Sequence, residues 1–348
     1  MNTYSKFKNI HYLRFVGRRQ IVLLFIPVLF VFSCKKEPVP YEYSEGNKVV
    51  LYTVPKGFPY PTVPVDNLPT KNRIVLGKRL FFDPVLSRDS TISCGSCHLE
   101  DKYFTDNLKV SEGIGKQLGV RNAPTIINVA YHPYFFWDGG NPTLEQQVVG
   151  PIENPLEMGF NINEAVARLK KHSDYVKLFQ EAYGKEISPF TLTRAIACYE
   201  RTIISGNSRY DDYIQKGDTS ALTTSEKNGM NIFFGEKGEC FHCHGGFNFT
   251  DNSFANNGLY TTYADSGRAR ITLKASDVGK FKTPSLRNID NTAPYMHDGS
   301  FATLVEVVEH YNSGGKKHPN KSPILLPLKL TVTQKQDLVN FLKSLTDK

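Results

Sequence analysis

The sequence is short of several features, and each absence removes a class of function. No Lys/Arg run is interleaved with aromatics, so there is no electrostatic footprint for a nucleic-acid partner. The formal charge of +8 does not supply one, because Lys6, Lys8, Arg14, Arg18 and Arg19 fall in the first 20 residues, where there is no acid, and the remainder carries only +3. The apolar run Ile21 to Phe32 falls short of the about 20 residues of a comfortable membrane span. Sustained strand alternation is scarce, which argues against a core built on sheets. The six cysteines do not form a disulfide framework: four sit in two Cys-x-x-Cys pairs, Cys34 ends the apolar run, and Cys198 stands alone in a helical stretch as a buried structural thiol. What is abundant is aromatic surface, with 18 Tyr and 23 Phe available to pack a core or a flat cofactor.

The basic stretch ending at Arg18-Arg19, the apolar run and the step Ser33-Cys34 compose an export signal. A small residue before a Cys at the end of such a run resembles a bacterial lipoprotein signal, although Phe32 is bulkier than that pattern has. The expectation is a chain lipid-anchored through Cys34 on the periplasmic side of a bacterial membrane, with an ordinary cleaved signal or an uncleaved anchor as the alternatives.

Residues 1–34 are read as signal and 35–66, rich in Pro, Tyr and Val, as a tether and extended segment. From Arg73 a helical face of Ile74, Leu76, Leu80 and Phe81 runs to Asp83-Pro84. Further helices are expected over Glu164 to Ala182, with Val166, Leu169, Val176 and Phe179 inward, and over Phe190 to Ile204, with Ser188 as N-cap and Pro189 at the first position. Thr223 and Glu226 form a capping box for a helix carrying Met230 and Phe233. Two more are expected, Thr303 to Asn312 and Gln334 to Leu345, the latter capped by Thr333 with Gln336. Helix, loop and Cys pair thus occur twice, with a boundary at Ser205-Gly206-Asn207. The fold class is mainly α: two small helical domains, 67–205 and 206–348, each folded around a bulky cofactor, with long loops.

Both pairs extend to Cys-x-x-Cys-His, as Cys94-Gly-Ser-Cys97-His98 and Cys240-Phe-His-Cys243-His244. In that motif two thiols bond to haem vinyl carbons and the following His coordinates iron, which implies two covalent c-type haems. One zinc site built from both pairs is the alternative, but zinc does not require a His after each. His11, His132, His172, His242 and His318 carry no such motif and are read as structural.

Leu76-Gly-Lys-Arg-Leu-Phe-Phe-Asp-Pro84, Arg121-Asn-Ala-Pro-Thr125, Phe136-Trp-Asp-Gly139, Gly150-Pro-Ile-Glu-Asn154 and Pro284-Ser-Leu-Arg-Asn288 leading to Pro294-Tyr-Met-His-Asp-Gly299 resemble, in that order, the bacterial di-haem cytochrome c peroxidase family, which includes the MauG enzymes of methylamine utilisation. The resemblance covers about Leu68 to Leu345 and implies that hydrogen peroxide reacts at the N-terminal haem while the second stores or relays an electron. It puts Glu157 at the family's distal carboxylate, Gln147 at the neighbouring amide, and Trp137, the only Trp, between the haems. By the same carry-over Asn122 and the carbonyls of Thr292 and Pro294 hold a calcium ion. Ile114 stands where the best-known peroxidases have a His that ligates the resting haem, which implies an open N-terminal haem. Tyr311 stands at the sixth-ligand position of the second haem, as in MauG, with His310 and Met296 as substitutes should the register slip. The expected reaction is reduction of peroxide with electrons from a small cytochrome or cupredoxin. The alternative is a MauG-like oxidation of side chains on a partner protein, and a homodimer is an open assembly.

Overall fold

The computed structural model describes residues 48–50 and 52–348, so the basic leader and Cys34 lie outside the described residues. Helix α1, Lys71–Phe82, starts where the Thr70 side chain accepts from the Arg73 amide and ends at Asp83, whose carboxylate takes the Val85 amide as Pro84 closes the helix. Helices α2 (Ile162–Leu169), α3 (Ser173–Tyr183) and α4 (Pro189–Glu200) complete the first half. In the second half α5 (Thr224–Phe233) leads into the second Cys pair, followed by α6 (Leu304–Ser313) and α7 (Val332–Lys343). The sheet among the described residues is one antiparallel pair, β1 (Phe254–Ala255) and β2 (Phe281–Lys282). No helix among the described residues is long and apolar enough to cross a membrane.

The two halves use one packing device. Gly77 of α1 lies against α4 so closely that a methyl group there would run into the Ala195 carbonyl and come within 2.9 Å of Tyr199 Cβ. Gly229 of α5 meets α7 in the same way, at the Asp337 carbonyl and 2.8 Å from Phe341 Cβ. Four and five residues beyond each glycine stand two phenylalanines, Phe81-Phe82 and Phe233-Phe234, of which Phe81 and Phe233 are buried in the cores. Each half has its own core: Leu76, Leu80, Phe81, Phe179 and Ile196 in the first, Phe233, Phe249, Val308, Phe341 and Leu342 in the second. Full burial of each large side chain contributes about 1.5–3 kcal/mol.

Three helix boundaries differ from the sequence reading. The stretch from Glu164 to Ala182 is two helices, because Lys170 to His172 leave the helix and Ser173 restarts it in a new phase. The restart turns Val176 outward, 45% exposed, and turns Tyr175 inward, where its hydroxyl donates to Asp83 at 2.6 Å. Helix α4 stops at Glu200, four residues before Ile204. Helix α7 is capped by Thr331 and Gln334 rather than by Thr333 and Gln336. The two Thr-x-x-Gln boxes overlap in sequence, and the earlier one starts the helix that turns Leu338, Phe341 and Leu342 into the core.

Because the α1–α4 crossing leaves no room for a side chain, Gly77→Ala should lower stability by about 3 kcal/mol. Gly184→Ala, at the left-handed end of α3 with open space around it, should cost about 1 kcal/mol. Urea unfolding midpoints check this, and equal losses in the two variants would show that the helices separate without penalty.

Candidate functional site

Each Cys-x-x-Cys-His loop is a single tight turn. Ser93 and Ser96 cap the turn Cys94–Cys97, and the His98 amide bonds to the Cys94 carbonyl at 3.0 Å. In the second loop the His244 amide bonds to the Cys240 carbonyl at 2.8 Å. The rings are then aimed by carbonyls further on: His98 Nδ1 donates to Phe104 O at 2.9 Å and His244 Nδ1 to Phe249 O at 3.0 Å. A carbonyl only accepts, so Nδ1 carries the proton and Nε2 keeps its lone pair for a metal. Burial lowers the pKa of both imidazoles and favours that neutral ring. Phe104 and Phe249 turn their carbonyls inward from left-handed conformations, φ 58° and 50°, a costly choice for a non-glycine residue.

The sulfurs of Cys94, Cys97, Cys240 and Cys243 are free and half-buried, and burial pushes all four thiols up, Cys97 to about 11. Phe82 packs over Gly95 of the first loop, and Phe249, whose carbonyl holds His244, lies beside Phe234 with ring centroids 6.3 Å apart. Two unpaired thiols, an imidazole with a free Nε2 and an aromatic wall fit a thioether-bound c-type haem at each loop. The zinc alternative does not hold: among the described residues no group of three or more His, Cys, Asp or Glu side chains could share a metal ion, because each Cys pair belongs to its own half.

Beside the first loop stand the residues carried over from the family. Glu157 is close enough to Cys94 and Cys97 for its charge to act on both thiols. Its carboxylate accepts from Asn154 Nδ2 at 2.7 Å, and burial raises its pKa despite that bond. Its carbonyl accepts from the Ile114 amide at 2.8 Å, and the buried Ile114 side chain reaches Gly159, so the Ile114 loop and Glu157 form one unit. Gln147 closes a one-turn helix, Leu144–Gln147, half-buried and with no protein partner for its side-chain amide among the described residues. Asn154 and Glu200 were given no role in the sequence reading. Glu200 is buried with Oε2 unpartnered, because Arg201 beside it is committed to Glu145 through bonds of 2.7 and 3.0 Å. Burial, with Glu145 adding to it, pushes Glu200 up to about 8. A lone Glu before an Arg gave no sequence signal for this.

Trp137 is tied at both ends. Its Nε1 donates to the Asn122 carbonyl at 2.9 Å, and its carbonyl accepts from the Lys282 amide at 2.7 Å. The next residue, Asp138, is fully buried and accepts from Arg121 and Arg270, each at 2.7 Å. Asn122 bonds through its amide to His297 O at 2.8 Å and through Nδ2 to Leu108 O at 2.9 Å, leaving Oδ1 uncommitted. Asn107 Nδ2 holds the carbonyls of Asn291 and Ala293, and among the described residues none donates to those of Thr292 and Pro294.

At the second loop Tyr311 lies close enough to Cys243 and Cys240 to feel their charge, and burial pushes its phenol up to about 12. His310 turns away, its Nε2 bonded to Asn257 O at 3.0 Å, and Met296 Sδ accepts from Asn257 Nδ2 at 3.2 Å. Tyr311 thus lies against the cysteines, and its hydroxyl shares Asn257 Nδ2 with Met296 Sδ.

A helix-rich chain with two Cys-x-x-Cys-His loops, each behind a glycine-crossed helix pair, defines a c-type di-haem protein. Residues 71–220 match the profile of the family described as di-haem cytochrome c peroxidase. The chain is 37% identical over 295 residues to the methylamine utilization protein MauG of Methylorubrum extorquens, covering 84% of this chain and 82% of that protein. It is 36% identical over 323 residues to the cytochrome-c peroxidase IdrP1 of a Pseudomonas species, covering 83% and 85%. A crystal structure of a MauG-like protein associated with microbial copper homeostasis superposes with a TM-score of 0.80 at 40% identity, over 85% of this chain and 95% of that one. The chain belongs to the di-haem cytochrome c peroxidase family.

A Glu whose folded pKa is raised stabilises fully only below its unfolded value, about 4.3, and that stability is lost as pH rises through the folded value, about 8 for Glu200. Glu200→Gln should therefore gain on the wild type as pH climbs through this window. Denaturant midpoints of both proteins against pH test it, and parallel curves would place a charged, satisfied Glu200 in the fold.

Proposed function

We propose that the chain reduces hydrogen peroxide to water, drawing two electrons from a small cytochrome or cupredoxin. Cys94, Cys97 and His98 would hold a c-type haem supplying the iron for peroxide chemistry, and Cys240, Cys243 and His244 a second haem supplying an electron store. The observation that carries the reading is Glu157: a half-buried carboxyl of raised pKa beside the first Cys loop, fixed by Asn154. Such a group takes the proton from one peroxide oxygen and returns it to the other as it leaves as water. Gln147, whose side-chain amide has no protein partner among the described residues, holds peroxide and product water. Ile114 has no donor atom, so it leaves the peroxide side of the first site open without prior activation. Trp137, bonded at both ends to segments from the two halves, relays electrons between them.

The domain division at 205/206 is supported by the two cores, which run from Leu76 to Ile203 and from Ile232 to Leu345. Ser205 itself is gripped by Asn128 from the first half and Asn288 from the second. Tyr311 facing the second Cys pair favours the other reading, a MauG-like oxidation of side chains on a partner protein, because a phenolate ligand stabilises ferric iron more than a Met does.

Glu157→Gln should lower peroxide turnover with a reduced small cytochrome by about 10²–10⁴-fold while both haem spectra stay as in the wild type. Unchanged turnover would remove Glu157 from the chemistry. A wild type that reacts with peroxide but is not discharged by the cytochrome would favour the partner-oxidising reading.

The remaining assignments are export to the periplasmic side of the membrane with a lipid on Cys34, a calcium ion held by Asn122 Oδ1 and the carbonyls of Thr292 and Pro294, and a homodimer. Mass spectrometry of the membrane-extracted protein reads them together. The denatured mass should carry two haems and a lipid on an N-terminal Cys34, and the native mass a calcium ion and a second copy. An unmodified Cys34, a calcium-free native mass or a monomer would each remove its own assignment.

A further inference from the structure

Lys282 is 9% exposed, and its ammonium has one partner, His132 Nδ1, at 3.2 Å. Of the other buried cations among the described residues, Arg201 faces Glu145 and Arg287 faces Asp211, while Arg73 donates to the Ala182 and Leu68 carbonyls. Lys282 has no carboxylate within ion-pair reach among the described residues. Asp138, next to Trp137, is already occupied by Arg121 and Arg270. Asp265 is likewise held by Arg121. Nor can Lys282 move outward freely, since its amide is bonded to Trp137 O at 2.7 Å and β2 pairs it with Phe254.

The protons define what is missing. His132 accepts from the ammonium through Nδ1, so its proton sits on Nε2, an atom buried with no partner. Burial and the adjacent ammonium keep that ring neutral. Lys282 and His132 therefore present N–H donors and no acceptor, the complement of an anion. A buried cation persists when it is paired.

We propose that Lys282, with His132 behind it, is an anion site that binds a carboxylate brought by a haem, one of its propionates, at the seam where Trp137 meets the second half. The inference rests on the two-haem reading. Lys282 would then hold the haem edge and set its electrical environment from the residue that also anchors Trp137.

The test compares wild type, Lys282→Gln and Lys282→Arg as holoproteins, with haem content, spectroelectrochemical titration and resonance Raman spectra of the propionate bending modes. Lys282→Gln should keep two haems, move a propionate band, and shift one ferric/ferrous equilibrium about tenfold toward ferric, a fall of about 59 mV for one electron. Lys282→Arg, which keeps the charge, should recover most of the potential. Unchanged bands in Lys282→Gln would overturn the site even if the potential moved, because Lys282 would then act only as a distant charge. A wild-type potential that follows phosphate concentration at constant ionic strength would also overturn it in favour of a mobile anion. If Lys282→Gln fails to load haem, the Raman bands of Lys282→Arg decide, with a displaced propionate band expected and an unmoved one fatal to the proposal. Fewer than two haems in the wild type would instead bring down the two-haem reading, and this site with it.

Discussion

Everything at the two loops depends on a backbone carbonyl aimed at an imidazole. Phe104 and Phe249 accept from His98 and His244, and each bond settles at once which nitrogen carries the proton and which way the ring faces. The Cys-x-x-Cys turn alone would deliver a His whose ring could rotate and whose tautomer could change. The left-handed turn at each Phe is the local cost, and the packing of Phe249 into the second core helps offset it. A glycine there would adopt that conformation freely but would not anchor it.

The same economy extends to the scaffold, which is built twice and then differentiated. Asn128 and Asn288 both sit in left-handed turns beside Ser205, and the bridges Phe135 to Asn141 and Tyr295 to Phe301 close equivalent loops. In register with those bridges, Trp137 of the first half corresponds to His297 of the second, whose ring stacks on Phe281 at 3.7 Å. Thr143 and Thr303 cap the helices that follow, and four residues on stand Gln147 in one and Val307 in the other. The second half has an apolar group where the first has an amide, so the repeated frame carries different side chains at equivalent positions.

Legibility followed the distance in sequence between interacting groups. The Cys-x-x-Cys-His loops were legible because covalent attachment and ligation need five contiguous residues. Ser188, Thr223 and the stop at Asp83-Pro84 were legible because caps act within one turn. The start of α7 was not, since Thr331 and Thr333 offer equivalent boxes two residues apart and only packing against α5 chooses between them. The break between α2 and α3 escaped for a related reason: two helices out of phase still yield an apolar residue every three or four positions, and Val176 fell in the pattern while pointing to solvent.

By itself the sequence determined the chemistry that is local: two Cys-x-x-Cys-His loops and a helical scaffold before each. Likeness to a family added Glu157, Gln147, Trp137 and Tyr311 as positions without geometry. Only the tertiary structure decided that Glu157 shares a unit with Ile114, that Tyr311 rather than His310 faces the second Cys pair, and that Glu200 is buried with an unpartnered oxygen and Lys282 without a carboxylate among the described residues. A charge's partner is a matter of which distant segments meet around it, and no pattern of neighbours along the chain records that.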